Sequence, residues 1–213
     1  MRFSDRSEAG KELAKVLDAY RGQEAVVLAL PRGGVPVAVE IAHQLGAPLD
    51  LLLVRKIGVP WQPELAMGAV IDGSRPAVVR NEETIRLAGI SDAEFDAICQ
   101  RELAEIERRR RRYFAGRAPL EIAGRIAIVV DDGIATGATI RAAVAGLKAR
   151  MPAKIVVAVP IASPSAIAEL EKEADEVVCP IQPRMLGAIG YFYRDFEQLT
   201  DEEVIGLLAT HRA

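Results

Sequence analysis

Four short apolar runs constrain the fold of this chain more than any other feature: Ala25 to Leu30, Leu49 to Val54 (interrupted only by Asp50), Ile126 to Val130 and Ile155 to Val159. They lack the polar alternation of a strand with one wet face, and β-branched residues are frequent in them, so each reads as a strand buried on both faces. Helix-length segments separate them. Val35 to Leu45 has Pro36 early and Gly46 after it, Ala138 to Ala149 stops before Pro152, and Pro164 to Glu173 opens on its proline. Ahead of the first run, Leu13, Val16, Leu17 and Tyr20 fall at i, i+3, i+4 and i+7, which predicts an amphipathic helix closed by Gly22. Strands alternating with helices predict an α/β fold, a doubly wound, mainly parallel sheet flanked by helices that binds its ligands at the carboxyl ends of the strands.

Residues 71–124 break the rhythm and read as a helical insertion. A turn is expected at Asp72-Gly73-Ser74-Arg75-Pro76, then a short strand from Ala77 to Val79, then a long helix. Ser91 and Glu94 form a capping-box pattern before the stripe Phe95, Ile98, Leu103 and Ile106, and the helix ends in Arg108-Arg109-Arg110-Arg111-Arg112. That run is either a solvated helix end, with Glu105 and Arg109, and Glu107 and Arg111, as i, i+4 pairs, or an anion or RNA patch. Thr200 to Glu203 opens a last helix with a second capping box. At about 150 residues per domain, the 213 residues are expected to form one domain, 1–213, with a small C-terminal hood at 180–196.

Composition narrows the function. With 27 basic and 30 acidic residues the formal net charge is -3, too balanced for nucleic-acid binding through bulk charge, so any anion site has to be local. Two cysteines, Cys99 and Cys179, give no disulfide framework, and His43 and His211 are too far apart in sequence to suggest a zinc site. Met1 to Arg6 carries no apolar signal core and no run of 18 apolar residues occurs, so a soluble cytoplasmic protein without membrane contact is expected.

The chemistry concentrates in Ile126-Ala127-Ile128-Val129-Val130-Asp131-Asp132-Gly133-Ile134-Ala135-Thr136-Gly137-Ala138-Thr139, a buried strand that ends in two carboxylates and turns into a helix. Successive amides in a glycine-containing turn at a helix N-terminus make a donor nest for a phosphate, and Thr136 and Thr139 add hydroxyls. Asp131 and Asp132 would repel that phosphate, but they suit the vicinal hydroxyls of a neutral polyol, and the two together describe a ribose 5-phosphate. The plainer alternative is a pair of acids capping the turn. Gly137 is followed by Ala138 and Thr139 rather than Lys and Ser/Thr, and no Gly-x-Gly-x-x-Gly occurs, which disfavours a nucleotide triphosphatase or a dehydrogenase.

With its four apolar residues, two acids and Gly/Thr-rich loop, the chain resembles the type I phosphoribosyltransferases. Leu30-Pro31-Arg32-Gly33-Gly34 looks like their pyrophosphate loop and Val54-Arg55-Lys56-Ile57-Gly58 like their second basic segment. The Leu-Pro-Arg-Gly-Gly, Arg-Lys-x-Gly, Asn-Glu-Glu and Tyr193-Arg194-Asp195-Phe196 elements resemble a group of predicted bacterial members. The resemblance implies 5-phosphoribosyl 1-pyrophosphate (PRPP) as ligand, Mg²⁺ as cofactor and a homodimer. It implies transfer of the phosphoribosyl group to a small nitrogen acceptor such as a nucleobase. Pyrophosphate would leave C1 through an oxocarbenium-like transition state, helped by positioning and electrostatic stabilisation.

Carried over residue by residue, Asp131 and Asp132 would hold the ribose hydroxyls, directly or through the metal. Gly133, Ile134, Ala135, Thr136, Gly137, Ala138 and Thr139 would hold the 5′-phosphate. Arg32, Gly33, Gly34, Arg55 and Lys56 would meet the pyrophosphate, with Arg32, Lys56 and the two acids as the catalytic set, and a non-proline cis peptide is frequent in the family at this loop. Plainer roles stand beside these: a good turn sequence for Pro31 to Gly34, and salt bridging at a strand end for Arg55 and Lys56. Members acting on 6-oxopurines place an acid where this chain has Ala135, which argues against hypoxanthine or guanine. Ile134, Tyr191 and Phe192 are candidate acceptor contacts, with Tyr193 as a third aromatic that could stack there, although any one of the aromatics could serve as core, and Trp61 is a lid or a subunit contact. A second reading is a non-catalytic regulator on the same fold that senses PRPP or a nucleotide and binds RNA, DNA or protein; a third keeps the chemistry with another amine or a sugar phosphate.

Overall fold

A computed structural model describes residues 3–72, 76–114 and 118–210; the expected turn residues Gly73, Ser74 and Arg75, and His211, lie outside the described residues. In chain order the elements are α1 (Arg6–Val16), β1 (Ala25–Ala29), α2 (Gly34–Leu45), β2 (Leu49–Leu51), β3 (Val54–Val59), β4 (Gln62–Ile71) and β5 (Ala77–Arg80). They continue with α3 (Glu82–Leu87), α4 (Asp92–Phe114), β6 (Ile126–Val130), α5 (Ala138–Lys148), β7 (Lys154–Ala158), α6 (Pro164–Leu170), β8 (Glu176–Val178) and α7 (Asp201–Thr210).

Five strands form a parallel sheet in the order β2-β1-β6-β7-β8. All of β1 is buried, as are the last four residues of β6 and β7, because helices cover both faces. Leu13, Ile41, Val204 and Phe95 belong to the core on one face; Ile140, Val144, Leu147 and Ile167 belong to the core on the other. Each such aliphatic side chain removed from water contributes roughly 1.5–3 kcal/mol. The chain runs from β1 to β2 on one side and returns to place β6 on the other, so the strand order reverses between β1 and β6. In an open α/β sheet that reversal leaves a crevice beyond the carboxyl ends of the two strands.

Three expectations need correction. The run from Leu49 to Val54 is not one strand: β2 stops at Leu51, and Val54 opens β3, which pairs antiparallel with β4 in a second, three-stranded sheet. The departure from the parallel pattern therefore begins at residue 54 rather than 71. Arg55 and Lys56 lie inside β3 rather than on a loop after a strand, and Trp61 stands in the two-residue turn of the β3–β4 hairpin, 65% exposed. Finally, α1 ends at Val16, which faces water, and a single 3₁₀ turn, Asp18–Tyr20, carries the chain to Gly22.

Both capping boxes form. Ser91 Oγ accepts from the Glu94 amide at 3.3 Å while Glu94 accepts from the Ser91 amide at 2.9 Å, and Thr200 and Glu203 repeat the exchange at 3.2 and 2.7 Å. Buried acids tie the insertion to the sheet. Asp50 of β2 accepts the Leu120 amide at 2.7 Å, Asp72 faces Arg110 of α4 at 3.5 Å, and Glu102 of α4 holds Arg55 of β3 at 2.7 Å. Among the described residues no helix is long and apolar enough to cross a membrane.

Helix α5 lies so close to β4 that a Cβ on Gly146 would fall 2.5 Å from Cγ1 of Ile71. Gly146→Ala therefore sets about 1 kcal/mol of gained helix propensity against an overpacking cost of roughly 1–3 kcal/mol. The expected outcome in urea unfolding is a net loss of stability, with Ile71→Val in the same chain recovering part of it. A Gly146→Ala chain more stable than the parent would show that the helix simply lifts away.

Candidate functional site

The crevice at the strand reversal is built by two loops. After β1, Leu30 still pairs with the neighbouring strand, its amide donating to the Val130 carbonyl at 2.9 Å, and the Pro31–Arg32 peptide that follows is cis. Helix α2 then begins at Gly34. After β6 come Asp131 and Asp132. The two loops interlock: a Cβ on Gly33 would land on Oδ2 of Asp132, and one on Gly34 would fall 2.6 Å from the Val130 carbonyl oxygen and 3.0 Å from Cα of Asp131. Only glycine lets the first loop lie against the acid pair.

Beyond the acids the chain makes the expected nest. Gly137, with φ +78, turns the backbone into α5, and the amides of residues 135 to 139 meet no acceptor among the described residues. The turn is anchored at its sides instead. The Ile134 amide donates to Ile161, the Ser163 amide to Ile134, and Ser163 Oγ to the Ala135 carbonyl at 3.0 Å. Ile134 is buried, whereas Ala135, Thr136, Ala138 and Thr139 are exposed with their donors.

Sequence reasoning missed the residues that close over the acids. Arg6, at the start of α1, donates from Nε to Oδ2 of Asp132 at 2.7 Å, lies with Cζ 3.9 Å above the Phe196 ring and reaches the Glu197 carbonyl at 2.9 Å. Tyr193 is buried, stacks on Phe196 at 4.9 Å and donates its hydroxyl to the Asp132 carbonyl at 2.6 Å. Ile189 covers Gly133, where a Cβ would meet its Cγ2 at 2.7 Å. Nothing local could have found Arg6, 126 residues from its partner. Tyr193 and Phe196 were visible as a motif whose contacts were not. Of the expected acceptor aromatics, Tyr191 is 66% exposed over Gly187, and Phe192 packs with the Phe3 cluster; neither lies against the acids as Tyr193 does.

The basic residues divide. Arg32 is half-buried in its loop. Arg55 is bound by Glu102 through Nε and a terminal nitrogen, at 2.9 and 2.7 Å, a salt bridge made within a strand rather than at its end. Lys56 is exposed on the opposite face of β3, opposite Ala69, whose side chain belongs to the core beneath α5. Each arginine of the 108–112 run has a carboxylate: Glu105 for Arg108 and Arg109, Asp72 for Arg110, Glu107 for Arg111, and Asp201 with Glu202 for Arg112.

Two adjacent carboxylates at the end of a buried strand are electrostatically unfavourable. Burial, then the Asp132 charge, pushes the Asp131 carboxyl well above the ordinary 3.8; burial raises Asp132 as well, against the opposing pull of Arg6. Among the described residues no three acidic, histidine or cysteine side chains converge to cage a metal. Two carboxylates that leave other positions open to substrate oxygens and water are, however, a donor set that suits Mg²⁺.

Because the folded state raises these pKa values, it binds protons more readily than the unfolded chain, and the stability this adds in acid is lost as pH rises through the folded value. At neutral pH Asp131→Asn should accordingly raise Tm by a few degrees, as about 1 kcal/mol does in a domain of this size. Arg6→Ala should lower stability by roughly 2 kcal/mol, the size of a hydrogen bond to a charged group, and the loss should shrink in an Asp132→Asn background. Thermal melts of the five chains, parent and Asp132→Asn included, decide; an Asp131→Asn chain that melts lower than the parent would refute the repulsion.

The chain is similar to other proteins along most of its length. Two Mycobacterium tuberculosis proteins, provisionally named phosphoribosyl transferases MT0597 (strain CDC 1551) and Rv0571c (strain H37Rv), are each 48% identical over 207 residues, 97% of this chain and 46% of theirs. The chain thus spans about half the length of these curated relatives. The crystal structure of TT1426 from Thermus thermophilus is 41% identical, covers 99% of both chains and superposes with a TM-score of 0.87. The phosphoribosyl transferase domain matches residues 6–192, from the arginine that pairs with Asp132 to the 3₁₀ turn of the hood. A domain match over most of the chain, with relatives at 48% and 41% identity, shows that the chain belongs to the phosphoribosyl transferase domain family.

Proposed function

We propose that this protein is a PRPP-dependent phosphoribosyltransferase that transfers the 5-phosphoribosyl group to a nitrogen acceptor, with a nucleobase as the favoured class, and releases pyrophosphate. The observation that carries the reading is the interlocking of the Arg32–Gly34 loop with Asp131 and Asp132 beside the free amides of residues 135 to 139. One ligand has a pyrophosphate, a diol and a phosphate in that order, and the three subsites match it. The 5′-phosphate takes the amides of the nest and the hydroxyls of Thr136 and Thr139. The ribose hydroxyls donate to Asp131 and Asp132. The pyrophosphate lies along the cis loop, where Gly33 and Gly34 allow backbone contact and Arg32 supplies charge.

Asp131 and Asp132 would hold Mg²⁺ through the ribose hydroxyls or water, and the ion would offset the charge of the leaving group. The chain's own contribution is to orient C1 and to exclude water. Arg32 stabilises the negative charge that grows on the departing pyrophosphate. Ribose hydroxyls reach Asp132 by sharing or replacing its bond to Arg6. The acceptor enters between the Gly133–Ile134 turn and the hood, where Ile189 now rests. With all five arginines of the 108–112 run paired to acids, the alternative of a nucleic-acid-binding regulator gains no support from the structure.

Calorimetry with PRPP and Mg²⁺ tests the assignment. Asp131→Asn/Asp132→Asn should bind PRPP about 100-fold more weakly, the effect of losing two charge-assisted hydrogen bonds. Pyrophosphate release measured across purines, pyrimidines and small amines should single out one acceptor, with hypoxanthine and guanine poor. Unchanged PRPP affinity in the double variant would overturn the site, and PRPP binding with no turnover on any acceptor would favour the regulator.

A further inference from the structure

Helix α4 reaches the edge of this site from outside the parallel sheet. A cavity of about 30 Å³, the space of one water molecule, opens beside the cis loop and is walled by Pro31, Arg55, Thr139 and, from α4, Arg109. Thr139 belongs to the first turn of α5, whose amides are free. Arg109 is turned inward: it is 36% exposed, against 61% for Arg108 and 79% for Arg111 on the same helix. Its charge and that of Arg32 both act on Tyr113 and Asp201, so guanidiniums from α4 and from the cis loop share one neighbourhood.

Both arginines at the cavity are held by acids that have a second cation. Glu105 accepts from Arg109 at 2.8 Å and from Arg108 at 2.7 and 2.9 Å; Glu102 binds Arg55 and lies 3.5 Å from Arg101. An anion can therefore draw Arg109 away without leaving Glu105 unpaired. That lowers the cost of the exchange, since breaking an ion pair is expensive chiefly when it strands a charge.

We propose that Arg109 is a pyrophosphate-binding residue supplied by the insertion helix: on ligand binding it turns from Glu105 towards the diphosphate seated on the Pro31–Gly34 loop. This rests on the PRPP reading above. The test is calorimetry with inorganic pyrophosphate and, separately, ribose 5-phosphate, both with Mg²⁺, on the parent, Arg109→Gln, Arg109→Lys and Arg108→Gln. Arg109→Gln should bind pyrophosphate about tenfold more weakly, the size of one charge-assisted hydrogen bond, and ribose 5-phosphate as the parent does. Arg109→Lys, which keeps the charge but not the fork, should fall between, and Arg108→Gln should match the parent. Pyrophosphate affinity equal in Arg109→Gln and the parent overturns the assignment while leaving the PRPP site intact, and so does an equal loss for both ligands. A parent chain that binds neither ligand overturns the PRPP reading and this inference with it.

Discussion

Placing two ionised carboxylates at the carboxyl end of a buried strand is unfavourable, and much of the surrounding architecture answers that constraint. Desolvation and mutual repulsion both oppose the charges of Asp131 and Asp132. Among the described residues Arg6 provides the guanidinium bonded to the pair, and it is held flat against Phe196 while Tyr193 fixes the backbone of Asp132 from the same side. The first and last parts of the chain therefore meet over the acids. The bridge between Phe3 and Tyr193 and the bonds from Phe3 to Phe192 and from Arg194 to Phe3 complete that closure. A core built for stability alone would gain from replacing the second acid.

The same logic bears on the positive charge of a chain whose net charge is -3. Many of its guanidiniums, those of the 108–112 run among them, are held by neighbouring carboxylates. Glu105, held down to about 2 by Arg108 and Arg109, is ionised at neutral pH and partners both arginines in this structure. The Arg-rich end of α4 is thus locally near neutral and poorly suited to bind a polyanion along its length. One arginine of the run faces the cavity at the cis loop, and position rather than number distinguishes it from its neighbours.

Several parts of the fold and site were legible because their signals are local. The buried strands announce themselves in runs of apolar residues, the caps in Ser91 with Glu94 and Thr200 with Glu203, and the turn into α5 in Gly137. The β3–β4 hairpin was not legible. Val54 continues the apolar run of β2 without a break, the register shifts at Gly58, and Ala66, Gly68 and Ala69 leave β4 without a clear alternation of large and small side chains. Those small residues are needed because β4 is packed from both sides: a Cβ on Gly68 would fall 3.2 Å from the Phe95 ring, and α5 lies across Ile71. Tertiary packing set that pattern, so no strand period records it.

Arg6 shows a different kind of illegibility. Its sequence neighbourhood is an ordinary helix start, with Asp5 as the N-cap accepting from Glu8 at 2.8 Å, and one arginine in such a turn has no local signature of function. Its significance comes from topology: α1 packs along α2, whose own N-terminus is the cis loop, so the first turn of α1 is carried to the acid pair. Gly10 lets that happen, because a Cβ there would fall 2.7 Å from the Val37 carbonyl oxygen of α2. A close helix contact thus positions the guanidinium that pairs with Asp132. The geometry of the acid pair therefore depends on a glycine of α1.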